Sequence, residues 1–287
     1  MADKSSIEWT EATWNPTTGC DRTSPGCDNC YALNLSRRLK AMGNPKYQID
    51  GSPKTSGPGF KLTVHPDQLA LPHRWAKPRT IFVNSMSDLF HPEVPFSFIE
   101  DVFQVMVDTP RHTYQVLTKR AQRLSKIAVR LPWPENVWMG VSIESDRYTF
   151  RADHLRKIPA AVRFISAEPL LGPLPSLDLT GINWVIAGGE SGHGARPMHP
   201  TWAKDLRDRC VADDVAFFFK QWGAWKPERS VSAVPVSIDG ELLDLMPRAR
   251  VAGAPVRMRR VGKSAAGRTI DGRTWNEMPM ANFSCGS

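Results

Sequence analysis

The sequence lacks a long apolar run. It contains no uninterrupted apolar stretch of about 18 residues, the length that a membrane-spanning helix requires. Its first residues, MADKSSIEWTEATW, hold no apolar segment of the kind that secretory signals carry. We therefore expect a protein that neither spans a membrane nor is secreted, and we predict a cytoplasmic location.

Cysteine is scarce and odd in number. The 287 residues include 5 Cys, and three of these, Cys20, Cys27 and Cys30, lie close together near the start of the chain. A secreted disulfide framework uses cysteines in pairs, so this pattern speaks against that class of protein. It indicates an intracellular thiol or metal site.

Acidic residues are also outnumbered. The chain has 29 Asp+Glu against 37 Lys+Arg, which gives a formal net charge of +8. Such a balance favours a polyanionic partner such as nucleic acid, or an anionic substrate, although solubility alone explains it equally well. An apolar share of 41% and a charged share of 23% are typical of a globular chain with one large domain.

The middle of the chain alternates between short apolar runs and segments with helical spacing. Six runs are apolar on both alternating faces, which is typical of buried parallel strands. They span residues 81–84, 114–117, 137–143, 162–165, 184–187 and 216–219. Helices are predicted over 97–107, where Ser97 and Glu100 suggest a capping box, and over 121–131, 146–158 and 201–213. This alternation predicts an α/β fold with about six parallel strands.

Two segments break the alternation. Residues 169–183 are rich in Pro and Gly and too short for a helix with its loops, so we expect an irregular connection and a partial rather than an eight-fold barrel. From Lys226 the alternation stops, which predicts a barrel domain over 1–225 and a small basic extension over 226–287. No acidic residue separates Arg248, Arg250, Arg257, Arg259, Arg260 and Lys263. This stretch is either a solvated tail or a surface that contacts phosphates.

Polar residues follow all six predicted strands. In parallel α/β folds the carboxyl ends of the strands form the edge where ligands bind and chemistry occurs. We therefore predict a site at this edge, with Glu190 and Lys220 as candidate catalytic residues. The candidate cofactor-binding residues are Asn84, Ser85, Ser87, Asp88, Lys119, Ser142, Glu144, Glu168, Gly188 and Gly189.

The three clustered cysteines, in the pattern C-x6-C-x2-C, are the candidate metal ligands. Structural zinc requires four ligands, and the fourth would have to be distant: His65, His73, His91, Cys210 or Cys285. A disulfide would leave one thiol over. A [4Fe–4S] cluster held by three thiolates leaves one iron open to an external ligand, and we favour this interpretation.

Several stretches resemble a phage-associated three-Cys-motif family of uncharacterised function. These stretches are IEWTEATWNPTTGC, SPGCDNCYA, IFVNSMSDLFHP, WVIAGGESG, FFFKQWG and GKSAAGRTIDGRTWNEMP. The cysteine loop followed by βα units also resembles the radical S-adenosylmethionine (SAM) superfamily, whose members fold as full or partial β/α barrels. Relative to that superfamily's usual spacing, the first gap is longer here and the aromatic Tyr31 follows the last cysteine.

The superfamily resemblance implies a specific chemistry. The open iron binds the amino and carboxylate groups of SAM, and reductive cleavage gives a 5′-deoxyadenosyl radical. The superfamily's Gly-Gly-Glu stretch follows its second strand, where this chain has Asp88, so Asp88 is expected to accept from the SAM amino group. A literal Gly188–Gly189–Glu190 occurs only later in the chain.

We therefore predict a radical-SAM-like iron–sulfur enzyme with a [4Fe–4S] cluster and SAM as cofactors. It would act on nucleic acid or a nucleotide, in modification or repair, and contact nucleic acid through its basic C-terminal segment. No membrane partner is expected, and the electron donor is not indicated. Two alternatives stay open. One is a non-catalytic nucleic-acid-binding protein with a structural cluster or zinc. The other is an iron–sulfur enzyme that uses the open iron as a Lewis acid without SAM.

Overall fold

A computed structural model describes Ser5 and residues 7–228, 242–245 and 256–279, with the backbone alone over 242–245. The strands are β1 Ala12–Trp14, β2 Thr17–Thr18, β3 Thr63–Val64, β4 Thr80–Val83, β5 Thr113–Thr118, β6 Val137–Ser142, β7 Val162–Ala167, β8 Trp184–Gly188, β9 Ala216–Gln221, β10 Trp225–Pro227, β11 Leu242–Leu245, β12 Val256–Arg260, β13 Thr269–Ile270 and β14 Arg273–Thr274. The helices are α1 Tyr31–Ala41, α2 Leu71–Arg74, α3 Phe96–Asp108, α4 Ala121–Ile127, α5 Phe150–Arg156, α6 Pro200–Ala212 and α7 Lys263–Ala266.

The main sheet has seven strands in the order β1-β4-β5-β6-β7-β8-β9. The protein is an α/β fold with a parallel half-barrel sheet, which confirms the predicted fold class. All six predicted strands are present. The seventh, β1, was not predicted, and it adds to the edge of the sheet by pairing in parallel with β4, with Ala12 opposite Ile81.

The chain divides into two compact units. The first contains the described residues up to Ser142 together with Phe150–Phe164, and the second contains Ile143–Thr149 and Ile165–Pro279. In the first unit every residue of β6 is buried, as expected for a strand covered on both faces. A Cβ at Gly140 would lie 2.4 Å from the Phe164 ring, so close packing requires glycine in β6. The predicted division at residue 225 stays a prediction.

The predicted capping box at Ser97 and Glu100 is wrong. Helix α3 begins at Phe96 with Pro95 as its N-cap, and no side chain caps it. The Pro95 carbonyl accepts hydrogen bonds from the backbone N–H groups of Phe98 and Ile99, at 3.1 and 3.2 Å. The first turn therefore starts before Ser97, which lies inside the helix.

Two predicted helices are shorter than expected. Helix α4 ends at Ile127 and passes into a 3-10 turn over Ala128–Arg130, and a 3-10 turn over Asp146–Tyr148 precedes α5. The connection between β7 and β8 contains no helix or strand, all of it within the described residues, which confirms the irregular crossover.

The chain beyond β9 forms small antiparallel sheets instead of βα units. Strands β10, β12 and β11 form one sheet, and β13 pairs with β14 in another. In the second unit, Ala195, Ala224, Trp225 and Met258 pack together as a core for the three-stranded sheet. Arg248 and Arg250 of the predicted basic stretch lie outside the described residues. Among the described helices, none has the length and apolar character needed to cross a membrane.

Candidate functional site

The loop that carries the cysteines is anchored at its start. The Gly19 backbone N–H donates to the Met86 carbonyl at 3.0 Å, and Gly19 forms a parallel bridge with Ser87 in the loop after β4. Gly19 has a φ of +86°, and a Cβ there would lie 2.1 Å from the Lys61 carbonyl oxygen. Only glycine fits this position, and it fixes Cys20 beside the β4 exit.

Cys27 and Cys30 are placed by two successive turns. Cys27 ends a 3-10 turn in which its N–H donates to the Ser24 carbonyl at 2.8 Å, and Cys30 is the N-cap of α1. Cys20 and Cys30 pack against one buried apolar cluster that includes Phe60 and Met86. All three cysteines are free thiols and partly buried.

The three thiols influence one another electrostatically. Burial raises the pKa of Cys20 to about 12, with further upward contributions from Asp88, Cys27 and Cys30 and a downward one from Arg120. Burial also raises the pKa of Cys30. The Cys20 and Cys30 thiols are therefore partly withdrawn from water.

Cys27 differs from the other two thiols. Burial raises its pKa, but the Lys119 ammonium and hydrogen bonds from the Thr23 and Ser24 backbone outweigh burial, so the net pKa is lower than usual. The Lys119 ammonium also acts to lower the pKa of Cys30, although burial keeps the net pKa of Cys30 above its usual value. The β5 exit therefore supplies positive charge to the cysteine loop.

The predicted residues after β4 bind the segment that leads into the cysteine loop. Asn84 has a φ of 61°, and its Oδ1 accepts from the Thr17 N–H at 3.4 Å. Its Nδ2 is buried and has no hydrogen-bond partner among the described residues. Ser87 Oγ lies 2.7 Å from Thr17 Oγ1, and Ser85 exchanges hydrogen bonds with Asn15.

Asp88 joins the exits of β4 and β5. Its Oδ1 accepts from Thr118 Oγ1 at 2.7 Å and from the Phe90 N–H at 3.0 Å, and its Oδ2 accepts from the Lys119 N–H at 3.1 Å. Arg120 Nη1 lies 3.9 Å from the same Oδ2. The buried carboxylate is therefore largely satisfied by the protein itself.

A second anchor, the pair formed by Asp21 and His91, could not be predicted from the sequence. His91 Nδ1 accepts from the Glu93 N–H at 3.2 Å, which places the ring proton on Nε2, and Nε2 donates to Asp21 Oδ2 at 2.9 Å. Arg120 Nη2 donates to the Asp21 carbonyl at 3.2 Å. Burial raises the pKa of Asp21. Hydrogen bonds from Thr55 and His91 lower it by more, so the net pKa lies below the usual value.

Ser142, at the exit of β6, contributes through its backbone. Its carbonyl accepts from Arg151 Nη1 at 2.7 Å. In the second unit, Glu144 is fully buried, and its carbonyl accepts from the Leu171 N–H at 2.7 Å. Both residues therefore accept a hydrogen bond at the main-chain carbonyl.

The exits of β7 and β9 form an ion pair in the second unit. Lys220 Nζ lies 3.2 Å from Glu168 Oε1, and Ser166 Oγ donates to Glu168 Oε2 at 3.3 Å. Both charged side chains are mostly buried. The predicted catalytic lysine and a predicted cofactor-binding carboxylate are therefore paired with each other.

Glu190 is held by Arg196. Arg196 Nη2 donates to Glu190 Oε1 at 2.6 Å, and Arg196 Nε and its backbone N–H donate to Oε2 at 2.9 and 2.8 Å. Gly188 carries no side chain, and a Cβ there would lie 2.7 Å from Glu168 Oε1. A Cβ at Gly189 would lie 2.0 Å from the Trp222 carbonyl oxygen, so close packing requires glycine at this position too.

The predicted residues thus fall into two sets. The first unit holds the three cysteines, Asn84, Ser85, Ser87, Asp88, Lys119 and Ser142, and the second holds Glu144, Glu168, Gly188, Gly189, Glu190 and Lys220. Across the parts of the chain that the structure describes, no three Cys, His, Asp or Glu side chains are arranged to hold a single metal ion.

Comparison with known proteins gives one family and one set of distant structures. A family model described as "Protein of unknown function (DUF5131)" matches residues 4–279. None of the curated proteins matches the chain. A mutant of spore photoproduct lyase matches with a TM-score of 0.45 and 14% identity over 82% of this chain and 69% of that chain. Spore photoproduct lyase complexed with dinucleoside spore photoproduct matches with a TM-score of 0.40 and 11% identity over 85% and 66%.

Proposed function

The chain belongs to the DUF5131 family of proteins of unknown function, and we propose that it is an iron–sulfur enzyme that uses SAM. Cys20, Cys27 and Cys30 would hold three irons of a [4Fe–4S] cluster and leave the fourth open to SAM. When bound, the cluster would supply the electron that cleaves SAM to methionine and a 5′-deoxyadenosyl radical. The proposed substrate is nucleic acid or a nucleotide.

One observation carries this proposal: three free thiols of one loop lie within the electrostatic influence of two cations, Lys119 and Arg120, that directly follow β5. Lys119 acts electrostatically on Cys27 and Cys30, and Arg120 acts on Cys20. A cluster with three thiolate ligands is negatively charged overall, so nearby cations stabilise it in a partly buried site. The same cations favour the thiolate form that metal binding requires.

The residues after β4 have separate roles in this proposal. A buried donor without an acceptor costs free energy, so Asn84 Nδ2 is suited to donate to a bound cofactor or substrate. Asp88 was expected to accept from the SAM amino group, but its oxygens already accept from Phe90, Thr118 and Lys119. We propose that Asp88 instead positions Lys119 and Arg120 beside the thiols.

The substrate class rests on charge. Among the described residues of the C-terminal segment, Arg257, Lys263 and Arg273 are exposed. Exposed cations supply the sequence-independent part of nucleic-acid affinity by contacting phosphates. We therefore propose that this segment binds nucleic acid, in line with the net charge of +8.

The decisive experiment is iron and sulfide analysis of anaerobically reconstituted protein, followed by EPR of the dithionite-reduced sample with and without SAM. We expect about four irons per chain and a cluster signal that changes when SAM is added. A cluster signal indifferent to SAM would contradict the SAM proposal and favour Lewis-acid chemistry. Reconstituted protein without iron would contradict the cluster itself.

A separate titration tests the substrate class. Affinity for duplex and single-stranded oligonucleotides is measured across a salt series. Binding through phosphates predicts that log affinity falls steeply and linearly with log salt. A flat slope, or no binding at low salt, would remove nucleic acid as the substrate.

A further inference from the structure

Helix α1 presents an apolar stripe to solvent. Tyr31, Leu35 and Met42, which directly follows the helix, have exposed fractions of 55%, 38% and 69%. Their spacing of four and seven residues places them on one face, with Arg38 between them. The phenolic hydroxyl of Tyr31 donates to the Ser85 carbonyl, which ties the start of the stripe to the loop after β4.

The opposite face of α1 packs against the first unit. Ala32, Leu33 and Ser36 are buried, and the first two belong to the apolar cluster that packs against Cys20 and Cys30. The stripe is therefore not the side that α1 uses to pack on the first unit. Single exposed apolar residues are ordinary on protein surfaces, but an aligned set on one helix marks an interaction surface.

The charge of α1 indicates the sign of the partner. Its sequence, YALNLSRRLKA, contains Arg37, Arg38 and Lys40 and no acidic residue. Lys40 pairs with Asp50 at 2.5 Å, whereas both arginines are exposed. A basic surface with an apolar centre fits an acidic protein, because complementary charges steer the encounter and apolar contacts form the core of the interface.

The position of α1 indicates what that partner does. The helix begins at Tyr31, the residue after Cys30, and Cys30 is its N-cap. We infer that the α1 stripe is the docking surface for an acidic protein that carries single electrons. This inference rests on the proposed function. On docking, the carrier would lose one electron and the cluster would gain it, with no bond made or broken.

Nucleic acid fits this stripe less well. Single strands bind through aromatic side chains on which bases stack, and the stripe has one aromatic residue beside two flexible aliphatic ones. Methionine is enriched in the cores of protein interfaces. The composition therefore favours a protein partner over an RNA or DNA strand.

The test compares two reductants on anaerobically reconstituted protein. Reduction of the cluster is followed by visible absorption and EPR, once with dithionite and once with a reduced acidic flavodoxin. The double variant Arg37→Glu with Arg38→Glu reverses the charge of the surface. The matched control is Lys126→Glu with Arg130→Glu, which also reverses two exposed cations, one in α4 and one in the 3-10 turn after it.

We expect the α1 variant to retain its iron and its reduction by dithionite. Its rate of reduction by flavodoxin should fall about tenfold or more at low salt, and the difference should shrink as salt screens the charges. The control should match the wild type with both reductants. Leu35→Asn should weaken flavodoxin binding, measured directly as a dissociation constant, without altering the dithionite reaction.

Three results would overturn the inference. One is equal flavodoxin rates for wild type and the α1 variant. Another is an equal loss in the control variant. A third is an α1 variant that loses affinity for an oligonucleotide while its flavodoxin rate is unchanged, which would assign the stripe to nucleic acid. Protein that never binds iron fails earlier, in the proposed function, and is recognised by its missing cluster absorption.

Discussion

The loops after β4 and β5 and the loops after β7, β8 and β9 are both rich in charged side chains, but they use them differently. In the first set, Asp88 accepts from the Lys119 N–H and Arg120 donates to the Asp21 carbonyl, and the charges of Lys119 and Arg120 act on the thiols. In the second set, Lys220 pairs with Glu168, and Arg196 grips Glu190. Position at the carboxyl edge of a sheet thus predicts where ionisable groups gather, but not which of them the protein itself neutralises.

The largest expected effect is the loss of the cluster from the first set. Cys20→Ala, Cys27→Ala and Cys30→Ala should each reduce iron from about four per chain to less than about one, because each removes a ligand. Cys210→Ala is the control, since Cys210 is a buried thiol of α6. Full iron in all three variants, measured after identical anaerobic reconstitution, would show that the loop holds no metal.

A second prediction separates the thiols within the first set. A thiol reacts as its thiolate, so at pH 8 a thiol with a pKa of about 12 is almost entirely protonated and unreactive. Cys27, whose pKa lies below the usual value, should alkylate at least about tenfold faster than Cys20 in metal-free protein. Mass spectrometry of iodoacetamide-treated samples measures the order, and faster labelling of Cys20 would contradict it.

The second set should respond in stability. Arg196→Met leaves the Glu190 carboxylate without its main partner at a side chain that is 5% exposed. We expect the free energy of unfolding in urea to fall by about 2–3 kcal/mol, less than for a fully buried pair because Arg196 is partly exposed.

Glu190→Gln sharpens this result, because the amide oxygen can still accept from Arg196. It should cost only about 1 kcal/mol. If Glu190 is also the catalytic residue that the sequence predicts, Glu190→Gln would abolish turnover with the same small loss of stability. The two roles are therefore separable in one pair of variants.

The smallest expected effect concerns the pair that anchors Cys20. His91→Gln keeps much of the side-chain volume but weakens the hydrogen bond to Asp21, so stability should fall by about 1 kcal/mol. Iron should also be lost faster to a chelator, because Asp21 follows Cys20 directly. His154→Gln is the control, since His154 contacts Ser125 on α4 instead. Equal rates of iron loss in the two variants would show that His91 does not help to anchor Cys20.

Much of the fold could be predicted from the sequence because its strands are buried on both faces. Runs such as that of β8 are apolar throughout, so they stand out without any partner being known. Strand β1 was not predicted because only three of its residues pair, and they lie within a largely polar segment. The capping box failed because the Pro95 carbonyl accepts the first helical hydrogen bonds, a choice that the local pattern does not reveal.

The site was only partly predictable. Three cysteines close in sequence must lie close in space, so they could be named as candidate ligands without knowledge of the fold. The anchors are different: His91 meets Asp21 across 70 positions of sequence, and Arg120 reaches the Asp21 carbonyl across 99. Glu190 and Arg196 are only six residues apart, yet their contact depends on the path of the loop between them. The two sets could not be told apart until those paths were known.

Contacts with the surrounding chain hold the cysteine loop in place. Gly19 is hydrogen-bonded to Met86, Arg120 to Asp21, and Tyr31 to Ser85, so both ends of the loop are fixed by the surrounding chain. A loop fixed at both ends has little conformational freedom left to lose. The entropic cost of ordering it around any ligand is therefore small, which favours binding at this site.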